Sequence, residues 1–220
     1  MSRAGRRPRF VQLTIVDYGL GNLASVARAF RFLGAKAEIT SEPDKILAAQ
    51  RLVLPGVGAF GSAMANLKDR HLVDPLRKYA HEGRPLLGLC LGMQLLLSES
   101  EEDGRHEGLG LVPGVVRRLE AAPGSGCKVP HIGWAGVQPA SCDWDGTQFE
   151  GLAAGEALYF VHSYYALPTN ESDVLAWTEY GETRFCSALR RANLFACQGH
   201  PEKSAEAGLK VLANFLRMPT

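Results

Sequence analysis

The chain has 220 residues, of which 46% are hydrophobic and 21% charged. That balance belongs to a globular protein and excludes general disorder, and this length buries enough surface to fold without disulfides or metal. Lysine plus arginine number 24 and aspartate plus glutamate 23, so no bulk field of either sign draws in nucleic acid or an anionic membrane.

Residues 1–9 carry Arg3, Arg6, Arg7 and Arg9 with no long apolar run behind them. They read as a disordered basic extension and not as a secretory signal. Residues 10–220 read as a single domain. Residues 10–17 are a buried strand; Gly19 and Gly21 turn it into a helix from Leu23 with Val26, Ala27, Phe30 and Leu33 on one face. Gly34 stands where a helix stops, and strands follow at 35–40 and 51–55. Helices are expected at 60–69 and 74–82, a strand at 85–90 and a helix at 92–100. Strand, turn and helix alternate through this half, the mark of an open parallel sheet flanked by helices.

The second half changes character. Strands are expected at 112–119, 157–162, 173–179, 184–191 and 193–198, with turns too short for helices, so some pair antiparallel. The stretch 121–155 is rich in Gly, Pro and Ala and reads as loop. A last helix starts near Ser204, with Ala205, Gly208, Leu209, Leu212, Phe215 and Leu216 as its core stripe. The fold class is α/β with a mixed, mostly parallel sheet. No run approaches the ~18 apolar residues of a membrane span. Cysteines stand at 90, 127, 142, 186 and 197, an odd number without C-x-x-C, which fits a reducing, cytoplasmic setting.

The sharpest local feature is Gly88-Leu89-Cys90-Leu91-Gly92, at a junction of strand and helix. Gly-x-nucleophile-x-Gly in that place is the nucleophile elbow: two glycines permit a strained turn that projects the central side chain. A cysteine there sits at a helix N-terminus, where the dipole favours an anionic sulfur, and the Leu91 N–H faces any oxyanion. The competing reading is a buried structural cysteine. A cysteine nucleophile needs a base and the base an orienter. His200 follows the final strand, and Glu202 stands two residues on, able to fix its tautomer. Their competing readings are a surface histidine and a first-turn helix charge. Pro55-Gly56-Val57-Gly58 ends another strand and offers further N–H groups for an oxyanion. His131 with Cys127 and Cys142 does not complete a zinc spacing, so neither metal nor cofactor is expected.

Together G-L-C-L-G-M-Q (88–94), P-G-V-G-A-F (55–60), H-S-Y (162–164) and H-P-E-K-S (200–204) resemble the class I glutamine amidotransferases. The opening D-Y-G-L-G-N (17–22) and H-x-G-W (131–134) narrow the likeness to the glutaminase subunits of imidazole glycerol phosphate synthases, over residues 10 to 217. The resemblance implies that Cys90 attacks the side-chain amide of L-glutamine and that His200, held by Glu202, protonates the leaving ammonia. It implies oxyanion donors around Gly56, Val57 and Leu91, and glutamine contacts at Gly58, Gln94, Ser163 and Tyr164. It implies a heterodimer partner, a (β/α)8-barrel cyclase that uses the ammonia to make imidazole glycerol phosphate and AICAR. Asn22, Trp134, Tyr159 and Lys203 are the interface candidates. Two positions depart from the family pattern: Ala135 where an asparagine is usual, and Gly199 where a large apolar residue is usual. Loss of packing at Gly199 is expected to loosen His200, so that Gly199→Phe raises kcat or stability. A glutaminase of another pathway, and a weakened subunit that only binds its partner, stand as alternatives.

Overall fold

The computed structural model describes residues 11–120, 127–140 and 144–220. The basic segment 1–9 and Cys142 lie outside the described residues. The first half contains β1 (Gln12–Val16), α1 (Leu23–Phe32), β2 (Lys36–Thr40), α2 (Pro43–Ala48), β3 (Leu52–Leu54), α3 (Phe60–Asp69), α4 (Val73–His81), β4 (Leu86–Leu89), α5 (Leu91–Leu95), β5 (Leu97–Ser100) and β6 (His106–Glu107). The second half adds β7 (Val112–Arg118), β8 (His131–Gly136), β9 (Gln138–Pro139), β10 (Ala157–His162), β11 (Tyr164–Pro168), β12 (Val174–Tyr180), β13 (Thr183–Arg191), β14 (Leu194–Cys197) and α6 (Ala205–Arg217).

The central sheet has the order β2-β1-β3-β4-β14-β13-β12-β9. Its first five strands are parallel, because helices return the chain over the sheet between β1, β2, β3 and β4. The remaining strands join antiparallel: β14, β13 and β12 through hairpins, and β9 across the long stretch that carries β10 and β11. In the turn between β12 and β13, Gly181 takes a left-handed φ of +60°. Both faces of the parallel part are covered. Leu13, Ile15, Val53, Leu87 and Leu89 pack under α1 and α6 with Phe30 and Phe215. Their neighbours Val16, Leu52, Leu54 and Leu86 pack under the opposite helices with Phe60, Leu76 and Tyr79. The alternation explains why these strands read as continuous apolar runs.

Two smaller sheets lie beside this frame: β10 with β8, and β11-β7-β5-β6. They hold the main departures from expectation. The helix expected at 92–100 stops at Leu95 and the chain continues as β5, parallel to β7. The N–H groups of Leu109, Gly110, Leu111 and Val112 take the carbonyls of Leu95, Leu97 and Leu96, leaving none for a helix to use. β8 lies inside the stretch read as loop, since Gly133 and Gly136 hide its alternation and β10 supplies the pairing. β11 and the short α2, opened by Pro43, escaped the sequence reading as well. Ala205 is exposed and does not join the α6 core stripe; it opens the helix with a positive φ.

Candidate active site

β4 and β14 are parallel neighbours, with Leu89 opposite Cys197, so the segments that leave them emerge side by side at one edge of the sheet. Open α/β sheets gather their chemistry at such carboxyl ends. Cys90 follows β4 in the strained conformation of an elbow, φ +53° and ψ −111°, with its N–H donating to the Cys197 carbonyl at 2.8 Å. The flanking glycines are steric requirements. A Cβ on Gly92 would fall 1.8 Å from the Leu54 carbonyl oxygen, and one on Gly88 would fall 2.9 Å from that of Gly92.

His200 follows β14, and β10 holds its backbone: its N–H donates to the Tyr159 carbonyl at 2.8 Å. Ser204 Oγ donates to the His200 carbonyl at 2.7 Å and accepts the Tyr159 N–H at 2.9 Å, locking the base to the same strand. His200 Nδ1 meets Glu202 Oε1 at 2.9 Å, with both side chains buried. His200 shares the cavity wall with Cys90, close enough for the thiol to influence its charge. With Nδ1 committed to Glu202, Nε2 is the nitrogen left for sulfur. Burial opposes a charge on this imidazole, but the hydrogen bonds and charges of Cys90 and Glu202 outweigh it and push its pKa up to about 10. The geometry is that of a nucleophile, a base and an orienter.

Cys90 and His200 border a cavity of about 280 Å³, with Glu202 behind the imidazole. Val57, Gly58, Leu91, Gln94, Ser163 and Tyr164 also line it, as does Lys203. Gly56 lies beneath the wall: a Cβ there would meet Tyr18 Oη at 2.2 Å and Leu91 Cβ at 3.0 Å, so only glycine lets the 55–58 loop approach the elbow. Tyr18 anchors that loop by donating to the Pro55 carbonyl at 2.8 Å.

Three further residues were not singled out from the sequence. Glu102 lines the cavity and accepts the Phe60 N–H at 2.7 Å, joining the acidic run 99–103 to the start of α3. His162 forms another part of the wall. Its Nδ1 donates to the Tyr164 carbonyl at 3.0 Å, and its Nε2 lies 3.3 Å from His131 Nδ1. Burial lowers the pKa of His162 to about 3, so Nε2 is unprotonated and His131 donates to it. Gln198, fully buried, donates from Nε2 to Cys90 Sγ at 3.7 Å. The signal for His162 was the H-S-Y motif itself, and for Gln198 its place two residues before the base.

The interface candidates divide. Trp134 is 56% exposed and meets Tyr159 edge-on at 5.7 Å, and Lys203 Nζ sits 5.9 Å above the Tyr159 ring. Asn22 caps α1, accepting the Ser25 N–H at 3.3 Å. Among the described residues no group of three or more His, Cys, Asp or Glu side chains is arranged to hold a metal.

The family model for glutamine amidotransferase class-I matches residues 14–218. The chain is 50% identical over 203 residues to the imidazole glycerol phosphate synthase subunit HisH of Moorella thermoacetica, covering 92% of this chain and 93% of the relative. It is 48% identical over 204 residues to the subunit of that name from Chlorobium chlorochromatii, covering 93% and 98%. The chain belongs to the class I glutamine amidotransferases. Solved structures share the fold: a glutamine amidotransferase with a TM-score of 0.70 at 20% identity, covering 92% of this chain and 96% of that one. PurLQS from Thermotoga maritima gives 0.69 at 19% identity, covering 93% and 97%. Membership in the amidotransferases accounts for a cysteine elbow facing a cavity lined by both a carboxylate and amide groups.

Proposed function

We propose that this chain is the glutaminase subunit of an imidazole glycerol phosphate synthase, with Cys90, His200 and Glu202 as its catalytic residues. The observation that carries the reading is the meeting of Cys90 and His200 on one cavity, with Glu202 bonded to the imidazole, in an amidotransferase fold. Cys90 sulfur attacks the side-chain amide carbon of L-glutamine. The oxyanion forms over the start of α5, where the Leu91 N–H and the 55–58 loop supply donors; losing one such donor costs ~10²–10³ in rate. His200 gives its proton to the departing nitrogen, ammonia leaves, and a γ-glutamyl thioester remains. His200, now neutral, takes a proton from water, the resulting hydroxide displaces the sulfur, and glutamate is released. Gly58, Gln94, Ser163 and Tyr164 hold the substrate, and the Glu102 carboxylate faces its α-ammonium group.

The ammonia needs an acceptor, and this reading gives the chain a cyclase partner with a (β/α)8 barrel. Trp134 and Tyr159 mark its docking surface, with Ile132, 60% exposed, on the same face of β8. Phe32, 77% exposed on α1, borders a groove of about 310 Å³ against α6 and the Pro201–Glu202 turn. Exposed aromatics of this kind are the residues from which interfaces draw most of their energy. Tyr159 carries the backbone contact to His200, so a docked partner acts directly on the base. The free thiols of Cys186 and Cys197 and the reactive Cys90 suit a reducing compartment, and we place the enzyme in the cytoplasm.

The test is glutamate release from glutamine, with and without the barrel cyclase and its nucleotide ligand, and with Cys90→Ser as the blank. Cys90-dependent release that rises strongly with the liganded cyclase is expected. Equal rates in both conditions would send the ammonia to another pathway. Absence of Cys90-dependent release in either would leave a subunit that only binds its partner.

A further inference from the structure

Gln198 lies on no exposed surface and outside the triad, yet its side chain ends on the reacting sulfur. Its orientation is fixed by a chain of partners that begins at a backbone carbonyl. The Tyr164 carbonyl can only accept, so the group 2.7 Å from it is the Gln94 amide nitrogen. That nitrogen has a second hydrogen, and it meets Gln198 at 3.0 Å, so Gln198 presents its oxygen, Oε1, there. The other end of the Gln198 amide, Nε2, is thereby turned to Cys90 Sγ at 3.7 Å. Among the described residues, Gln198 is fully buried and Gln94 is 5% exposed, so no bulk water competes for these bonds. The Tyr164 carbonyl is itself held in place by the Nδ1–H of neutral His162 at 3.0 Å.

We propose that Gln198 is a positioning residue for the nucleophile, its amide N–H holding Cys90 sulfur and stabilising the anionic form that attacks. The inference rests on the reading of Cys90 as nucleophile. The thiol donates weakly to the Val161 carbonyl at 3.9 Å, and the Gln198 amide donates to the sulfur, the contact that survives when the thiol loses its proton. The amide donor keeps its charge-stabilising role while His200 hands its proton to the leaving nitrogen. It also distinguishes a mobile thiol from one aimed into the cavity. A residue that only filled space here would influence stability but not the charge on sulfur.

The experiment follows the rate of Cys90 alkylation by iodoacetamide against pH, read by mass spectrometry, in the full chain. Gln198→Met keeps the volume and removes the donor. Gln198→Glu keeps the shape and turns a carboxylate oxygen toward the sulfur. Both profiles are expected to move to higher pH, Glu further than Met, with alkylation below neutrality falling about tenfold in Gln198→Met. Profiles that superimpose on the unmodified protein's would overturn the inference. In case a variant does not fold, the unmodified protein gives the same answer: its Gln198 side-chain amide proton signal must move when Cys90 is alkylated, and an unmoved signal counts against the contact. Undiminished glutamate release by Cys90→Ser would instead overturn the parent reading, a different result from unchanged alkylation profiles in an enzyme that depends on Cys90.

Discussion

Gly92 passes so close to Leu54 that a single methyl group on it would fall 1.8 Å from the Leu54 carbonyl oxygen. The nucleophile elbow and the neighbouring strand β3 therefore share one backbone contact, and the position of Cys90 is set by the sheet rather than by its own turn. Gly92→Ala must push α5 away from β3 or open the end of that strand. Overpacking of this kind costs about 1–3 kcal/mol, with more where backbone is the obstacle. The expected outcome is a lowered midpoint in chemical denaturation together with loss of most glutaminase activity, because Cys90 moves with the helix. Full activity in Gly92→Ala would show that the elbow tolerates displacement.

Cys90 and Glu202 together keep His200 charged well above the ordinary range. Burial alone would lower the pKa, and the partners Cys90 and Glu202 reverse that to about 10, from 6.5 for a free histidine. A raised pKa stabilises the folded chain fully below about 6.5, and that contribution is lost as pH rises toward 10. In the proposed reaction this proton passes to the departing ammonia, so the alkaline limb of kcat/KM should lie far above neutrality. Glu202→Gln retains an acceptor and removes the charge. The limb should then move down by about one to two pH units, with kcat/KM lower by about 10- to 100-fold. An unmoved limb in the pH–rate profile would mean that Glu202 does not set the proton on His200.

The parallel half of the fold was legible because βα units announce themselves locally: apolar strands, helix faces and stopping glycines such as Gly34 and Gly83, both at positive φ. Cys90 and His200 were legible for the same reason, since each follows a strand of that half's sheet. The small sheets were not, because their strands depend on distant partners. β8 has glycines at 133 and 136 and is defined by its register with β10. β5 begins at the last of three leucines that suit a helix equally well, and only the claim on their carbonyls by residues 109–112 decides the matter. Glu102 escaped because its role comes from where the chain brings it, and Gln198 because its nearness to His200 in sequence says nothing of its reach to Cys90.

Packing around Gly199 bears on an expectation drawn from the sequence. A large apolar residue there was expected to support His200. Neighbours stand close at this position: a Cβ on Gly199 would lie 3.3 Å from the Tyr159 carbonyl oxygen and 3.4 Å from Leu158 and Phe160, both fully buried. Gly199→Ala should change stability by less than about 1 kcal/mol, whereas Gly199→Phe should cost about 1–3 kcal/mol by displacing β10. Thermal unfolding of the two variants checks the order, and a raised Tm for Gly199→Phe would restore the expectation from sequence.

The buried histidine pair makes the site acid-sensitive. His162 is held neutral by burial, with His131 and His200 nearby adding to the effect, and its pKa lies at about 3 against 6.5 in the unfolded chain. His131 is lowered in the same direction by burial, stacked against the Tyr180 ring at 4.0 Å. The unfolded chain binds these protons first, so stability is complete above about pH 6.5 and declines as pH falls toward 3. The slope for His162 approaches 1.4 kcal/mol per pH unit well below its unfolded pKa. His162→Asn removes the titration while its amide can still donate to the Tyr164 carbonyl. Urea denaturation at pH 7 and pH 5 is the measurement. The unmodified protein should lose more stability between the two than His162→Asn does, even if the variant starts lower for loss of packing against Phe160 and Phe185. Equal losses would show that His162 does not carry the acid response, and that the wall of the cavity keeps its shape when this histidine is charged.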